Sequence, residues 1–173
     1  DRIGAAAVIA TMEDLANEEL NVDLIGTIST QEEVGLRGAE VTVKTVNPDI
    51  AIVYEGTPAD DTFTNQYETQ AALKKGPQLR HRDGSMITNP RFLAFVRNIA
   101  KEHNIQFQDA VRAGGGTDGG KIHLVAGAIP TIVIGIPVRY AHTHYGYCAY
   151  EDFINAVELG KAVLRKMPAD LKY

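Results

Sequence analysis

The chain has 173 residues and a formal net charge of -5 at neutral pH, which is typical of one soluble domain with a single core. The negative charge and the lack of a Lys/Arg cluster argue against a nucleic-acid partner. No apolar run approaches the ~20 residues that a membrane-spanning helix needs. Cys148 is the only cysteine, so an internal disulfide is excluded and a reducing compartment such as the cytoplasm is favoured.

The first predicted element is a helix over Arg2–Leu20, because helix formers dominate and apolar residues recur at helical spacing. β-Branched residues bounded by polar ones predict a strand over Asn21–Thr30. A short helix is expected after Gly35, and a second strand over Asn47–Glu55. The polar stretch 56–70 predicts an irregular connection.

The second half of the chain continues the alternation of strands and helices. Asn89 predicts a helix N-cap, with Pro90 at the first helical position. The remaining predicted elements are a weak strand over Gly76–His81, the Asn89-capped helix to about His103, a strand over Ile105–Val111, a helix near Lys121–Val125, an apolar strand over Ile129–Pro137 and an amphipathic helix over Glu151–Met167.

This alternation predicts an α/β fold with three layers, in which helices cover both faces of a mostly parallel sheet. The whole chain, residues 1–173, is expected to form one domain. In sheets of this kind, ligands bind beyond the carboxyl ends of the strands. Polar residues that follow predicted strands are therefore the first candidates for a functional site.

Four polar features follow four predicted strands, and we expect them to meet at one edge of the sheet. They are the Glu32–Glu33 pair after the strand that ends near Thr30, Glu55 at the end of the next strand, the glycine-rich loop Gly114–Asp118 after Val111, and His142 after Pro137.

Each feature alone has a plain structural explanation. Acids after a strand are common at a helix N-terminus, and Glu55 could be an exposed strand end. The glycine loop lacks the Lys of a Walker motif and the spacing of a dinucleotide fingerprint, so a tight turn explains it equally well. The segment His142–His144 reads as a surface loop.

Taken together, the carboxylates and the histidine form a ligand set suited to Zn²⁺, Co²⁺ or Mn²⁺. Adjacent residues are poorly placed to be equivalent ligands of one ion. The Glu32–Glu33 pair is therefore interpreted as one metal ligand and one general base, because a carboxylate beside a metal-activated water can shuttle its proton.

Five blocks of the sequence occur in the order and spacing of one known family. They are "DRIGAA", "STQEEVGLRGA", "IAIVYEGTPADDT", "GGGTDGGKIH" and "PVRYAHT". With them the chain resembles, over essentially its whole length, the tetrahedral, glutamyl and deblocking aminopeptidases, which are cytosolic di-metal exopeptidases of prokaryotes. The resemblance implies a zinc-peptidase-like catalytic domain.

By position, the resemblance assigns a role to each candidate. Asp1 matches the aspartate that bridges two metal ions, and Glu32 matches the general base. Glu33 matches a ligand of one ion, Glu55 a ligand of the other, and His142 the final ligand. The implied cofactors are two divalent ions per complete site, Zn²⁺ or Co²⁺ with Mn²⁺ as a further candidate.

The resemblance also implies a substrate and an assembly state. Peptides would lose their N-terminal residue, and the full-length form would be a homo-oligomer in the cytoplasm. Glutamyl, leucyl and lysyl members share these motifs, so no particular N-terminal residue is predicted. The implied wall on the substrate side consists of Gly115, Gly116, Thr117 and Asp118.

Two features of the family are not found in the chain. The family has a further metal-binding histidine in a His-x-Asp segment upstream of the bridging aspartate, and it inserts a small oligomerisation domain just before that aspartate. Here every histidine lies downstream of Asp1. We therefore expect the C-terminal portion of a catalytic domain, incomplete at its N-terminal side and inactive alone.

Two other functions stay open. One is a catalytically silent module of the same fold that binds peptide or helps assembly. The other is a different di-metal hydrolase that acts on another amide.

Overall fold

The computed structural model describes residues 1–125 and 127–170. Within them, helices alternate with the strands of one sheet. The elements are α1 Arg2–Leu15, a 3₁₀ turn Glu32–Val34, α2 Arg37–Val46, β1 Ala51–Pro58, β2 Gln78–Arg82, α3 Pro90–Glu102, β3 Gln108–Val111, α4 Gly119–Ile122, β4 Thr131–Arg139, β5 Tyr147–Cys148 and α5 Tyr150–Lys166.

The sheet has the strand order β1-β4-β2-β3, and β5 pairs with β4. The two longest pairings, β1 with β4 and β2 with β3, are parallel. Two short pairings, β2 with β4 and β4 with β5, are antiparallel. The sheet is therefore mixed and mostly parallel, which confirms the predicted fold class.

Strand β4 separates the two halves of the core. Its residues Ile132, Ile134 and Ile136 are fully buried in the larger hydrophobic cluster with residues of α1, α3 and α5. Val133, between them in sequence, belongs to a smaller cluster with Met86. Because side chains alternate between the faces of a strand, the helices α1, α3 and α5 cover one face and α4 covers the other.

All the predicted helices are present, but α4 covers Gly119–Ile122 and not Lys121–Val125. Local signals explain where α3 begins. The Asn89 side chain accepts hydrogen bonds from the N–H groups of Arg91 at 2.9 Å and Phe92 at 3.3 Å, and Pro90 is the first helical residue of α3. Helix α1 ends at Leu15, earlier than predicted. None of the described helices is long and apolar enough to cross a membrane.

The predicted strand over Asn21–Thr30 is wrong. Among the described residues this segment pairs with no strand, and Ile25 and Ile28 are 58% and 61% exposed. A β-branched sequence favours an extended backbone, but a strand also needs a neighbouring edge that satisfies its N–H and C=O groups. Strand β1 lies at the end of the sheet and has a free edge, but the segment forms no ladder of hydrogen bonds with it.

The expectation that four strand ends share one edge is also corrected. Strands β2 and β3 run opposite to β1 and β4, so the rule about carboxyl ends applies only to β1 and β4. Glu55 lies inside β1, three residues before its end, and not at the strand end that the sequence predicts. The loop after β3 nevertheless lines the same cleft. Arg112 Nη1, at its start, lies 3.0 Å from Asp60 Oδ2, just after β1.

Candidate active site

One cleft of about 1320 Å³ gathers most of the residues that the sequence singled out. A second cavity of about 760 Å³ adjoins it and shares three of these residues, Asp1, Glu32 and Glu55. The predicted site residues that line the first cleft are Asp1, Glu32, Glu33, Glu55, His142, Gly115, Gly116 and Thr117.

The carboxylate of Asp1 is held where α1 begins and β1 ends. Its Oδ1 accepts a hydrogen bond from Gly4 N, and its Oδ2 accepts one from Gly56 N, both at 2.8 Å. A Cβ atom at Gly4 would lie 2.5 Å from Asp1 Oδ2 and 2.7 Å from the Tyr54 carbonyl oxygen. These glycines therefore leave the space that the carboxylate fills.

The 3₁₀ turn that presents the two neighbouring glutamates depends on an unusual backbone. Gln31 and Leu36 both have left-handed φ angles, of 57° and 58°, and Gly35 has φ 122°. Gly38 N donates to Thr30 O at 2.9 Å, and a Cβ at Gly38 would lie 2.3 Å from that oxygen. The glycines after the acid pair are needed to close this turn.

Glu32 lies close enough to Glu55 to affect its pKa. Burial raises the pKa of Glu55 to about 7, and the carboxylate of Glu32 adds to the rise, whereas Arg80 opposes it. Burial also raises the pKa of Glu32, with Glu33 and Asp118 adding to the effect. Like charges crowded in a partly buried cleft are typical of a site that receives a cation.

His142 meets Glu33 across the mouth of the cleft. His142 Nε2 lies 3.2 Å from Glu33 Oε2, although the two residues follow different elements. The backbone of the loop after β4 turns sharply, with φ angles of 58° at Tyr140 and 62° at His142. Thr143 N closes this turn on the Tyr140 carbonyl oxygen at 3.2 Å.

Asp118 occupies a different position from the glycines that precede it. It lines the second cavity rather than the first, and its Oδ2 accepts a hydrogen bond from Ser29 Oγ. Its Oδ1 is buried and has no hydrogen-bond partner among the described residues. The four residues predicted as a substrate wall therefore divide into three that face the cleft and one that holds Ser29.

Arg80 is a cleft residue that sequence reasoning missed. Its side chain is 5% exposed and lines the cleft. Its Nη1 donates to Asp83 Oδ2 at 3.1 Å, and its Nη2 donates to Thr57 Oγ1 at 2.8 Å. An arginine in a weak strand reads as solvent-exposed, so the sequence carries no signal for this buried charge.

The side chains of the cleft are of types that bind divalent metal ions, but they do not form a complete set of ligands. Carboxylates with an imidazole are common ligands of zinc. Glu33 and His142 meet, and Glu32 lies near Glu55. Within residues 1–125 and 127–170, however, no group of three or more His, Cys, Asp or Glu could hold an ion. The described residues supply pairs of donors rather than a complete coordination shell.

The structure is a mixed α/β domain in which Glu55 of β1 and His142 after β4 line one cleft. Residues 1–159 match the profile of the M42 glutamyl aminopeptidase family, and the chain belongs to this family. Its members are hydrolases. The predicted resemblance to glutamyl and tetrahedral aminopeptidases is thereby confirmed.

Named relatives agree with this assignment. The chain is 35% identical over 167 residues to the glutamyl aminopeptidase of Lactococcus lactis subsp. cremoris, covering 96% of this chain and 46% of that protein. It is 29% identical over 172 residues to the lysyl aminopeptidase of Pyrococcus furiosus, covering 96% and 47%.

The fold agrees with solved structures as well. The TET aminopeptidase from the marine sediment archaeon Thaumarchaeota archaeon superposes with a TM-score of 0.91 and 38% identity, covering 97% of this chain and 48% of that chain. The chain thus spans about half the length of the relatives that it matches.

Proposed function

We propose that the whole protein to which this chain belongs is a metal-dependent aminopeptidase that removes N-terminal residues from peptides. In this proposal, residues 1–173 are the C-terminal portion of its catalytic domain. The observation that carries the proposal is the gathering of Glu32, Glu33, Glu55 and His142 around one cleft, in a chain of an aminopeptidase family.

The residues proposed to hold metal are Asp1 between two ions, Glu33 and His142 on one ion, and Glu55 on the other. Such ions, Zn²⁺ or Co²⁺ with Mn²⁺ as a further candidate, polarise a carbonyl and acidify a coordinated water. The 3.2 Å contact between Glu33 and His142 supports their place at a common ion. The bridging role of Asp1 rests on its position in the family pattern, since Glu32 and Glu55 line both cavities as well.

Glu32 is proposed to move the proton. Its carboxylate lies in the cleft beside Glu33, and it makes no hydrogen bond with any described residue. It is therefore free to accept a proton from the attacking water and to deliver it to the departing amine, which is general acid–base catalysis. Because Glu33 is proposed to bind metal, Glu32 is the residue of the pair that can exchange a proton.

The glycine loop is proposed to contact the peptide backbone of the substrate. Gly115 has φ 77°, and a Cβ at Gly114 or Gly115 would meet nothing within 4 Å. These residues are therefore open towards the cleft, where the backbone can approach a ligand closely. Gly116 and Thr117 continue the same wall.

We also propose that the whole protein is a homo-oligomer in the cytoplasm. Support comes from the TET1 peptidase of Pyrococcus horikoshii, described as assembling into a tetrahedron or a large octahedral shell. That structure superposes on this chain with a TM-score of 0.85 and 29% identity, over 96% of this chain and 48% of that one.

The test is a cleavage assay of the whole protein with a panel of aminoacyl amides and added Zn²⁺, Co²⁺ or Mn²⁺. Turnover should disappear with a chelator and return with metal. N-acylated peptides and peptides that can be cleaved only at their C-terminus are assayed in parallel. Activity on those substrates alone would identify a different amide hydrolase. No cleavage of any substrate would reject the proposal.

A second candidate function applies to the 173-residue chain alone. Because its described residues provide no three-donor group, the isolated chain is proposed to be silent as a peptidase and to act at most as a peptide-binding or assembly module. The same assay on the isolated chain tests this. Turnover that Glu32→Gln abolishes would show that the isolated site is complete.

A further inference from the structure

The turn that carries Glu32 is held in shape by backbone hydrogen bonds between its own residues. Four backbone hydrogen bonds of 2.9–3.4 Å close the stretch 30–38. None of the 3₁₀ residues is buried, and the preceding segment pairs with no described strand. These internal bonds fix the shape of the turn, but they do not fix its place relative to Glu55 on the sheet.

A side-chain hydrogen bond supplies a connection to the sheet. Ser29 Oγ, just before the turn, donates to Asp118 Oδ2. Asp118 is itself well fixed, because its carbonyl oxygen accepts from Lys121 N at 3.0 Å and Ile122 N at 3.1 Å at the start of α4. Helix α4 packs against β1 and β4, and β1 carries Glu55.

We propose that Ser29 and Asp118 form a positioning pair that holds Glu32 at its working place in the cleft. The proposal rests on the proposed function, in which Glu32 moves the proton. The bond to Ser29 is the only described hydrogen bond of the Asp118 carboxylate, since Oδ1 is buried without a partner. Neither side chain has to touch the substrate for this role.

The first test compares variants of the whole protein. A small displacement of a catalytic group is costly, so Ser29→Ala should lower kcat by ~10- to 100-fold. KM and Zn²⁺ affinity should stay within about 2-fold, because the metal ligands are unchanged. Ser29→Thr keeps the hydroxyl and should restore kcat to within about 3-fold of the natural protein.

The control variant is Thr45→Ala, which removes an exposed hydroxyl that donates only to a backbone carbonyl, Val41 O at 3.2 Å. It should leave kcat unchanged. Two groups that act as one pair are non-additive, so Ser29→Ala combined with Asp118→Ala should be no slower than Asp118→Ala alone. Additive losses would overturn the proposal, and so would a Ser29→Ala variant with unchanged kcat.

A second test needs no activity and uses the 173-residue chain itself. Hydrogen exchange of the backbone amides in 30–38 should become at least ~10-fold faster in Ser29→Ala and Asp118→Ala, because the turn loses its attachment. Exchange in α5 should not change. Asp118→Asn retains an acceptor oxygen for Ser29 and should keep the turn protected. Unchanged exchange in both alanine variants would reject the positioning role.

The two tests separate the two proposals. If the natural protein shows no metal-dependent turnover, the proposed function fails, and the exchange experiment still decides whether the pair holds the turn. If the natural protein is active and Glu32→Gln is not, an active Ser29→Ala variant rejects only the positioning pair.

Discussion

His142 Nε2 lies 3.2 Å from Glu33 Oε2, which joins the loop after β4 to the turn before α2. The side chains are 73% and 61% exposed. An exposed pair of this kind contributes at most about 1 kcal/mol to folding. The pair therefore adds little to the stability of the fold, and the contact supports the proposal that both residues bind one ion.

The first prediction concerns the glutamate next to that pair. In the whole protein, Glu32→Gln should lower turnover at least ~100-fold, the usual scale of general acid–base catalysis, while the bound metal content stays the same. Steady-state kinetics and metal analysis measure the two quantities. Glu19→Gln, at an exposed position outside the cleft, is the matched control. Near-normal activity of Glu32→Gln would show that another group moves the proton.

The second prediction concerns metal binding by the 173-residue chain. The described residues do not gather three donors in the absence of metal, so we expect the ion itself to draw Asp1, Glu33 and His142 together at one position, and only Asp1 and Glu55 at the other. Three protein ligands make a plausible zinc site, whereas two carboxylates make a weak one. Calorimetric titration with Zn²⁺ should therefore show one tighter site and one much weaker site.

Two histidine variants test whether His142 is a ligand at the tighter site. His142→Ala should weaken the tighter site by at least ~10-fold, because it removes a ligand. His144→Ala should not, because the ring of His144 packs against Tyr145, with ring centroids 4.6 Å apart. Equal effects of the two variants, or two equally tight sites, would count against the proposed ligand set.

The third prediction concerns packing between α5 and β1. A Cβ at Gly160 would lie 1.7 Å from Tyr54 Oη and 2.8 Å from Tyr54 Cζ. The tyrosine is anchored, since its hydroxyl lies 2.9 Å from Thr11 Oγ1. Gly160→Ala should therefore lower the free energy of unfolding by about 1–3 kcal/mol, the usual cost of overpacking.

Urea denaturation measures this loss, with Gly114→Ala as a control because its Cβ would meet nothing within 4 Å. Tyr54→Phe in the Gly160→Ala background should not restore stability, because the ring carbon stays too close. Full recovery in that double variant would show that the hydroxyl alone causes the clash.

The fourth prediction concerns stability in acid. Arg139 holds the pKa of Asp61 below its usual value, mainly through hydrogen bonds of 3.0 Å and 2.9 Å from its Nε and Nη2 atoms. A carboxyl whose pKa is lower in the folded state stabilises the fold above its unfolded pKa, about 3.9. That contribution is lost as the pH falls through the folded pKa.

Urea denaturation of the natural chain and of Asp61→Asn from pH 7 to pH 3 tests the sign. The difference in free energy of unfolding between them should be constant at neutral pH and should shrink below about pH 4. A difference that grows as the pH falls would contradict the role of the Asp61–Arg139 pair.

Much of the fold could be predicted from the sequence because its signals are local. The cap at Asn89 and the apolar run of β4 act within a few residues, so the predicted helix and strand are found where expected. The acid pair and His142 were likewise identifiable by their residue types and neighbours. The family was recognisable for the same reason.

The tertiary structure alone decided which of these elements and side chains meet. The reversed direction of β2 and β3, and the failure of Asn21–Thr30 to form a strand, depend on which segments pair in the folded chain. The burial of Arg80 and the bond between Ser29 and Asp118 depend on contacts between distant segments. Residue type and periodicity specify local conformation, whereas pairing and burial arise from long-range packing, which a short stretch of sequence does not record.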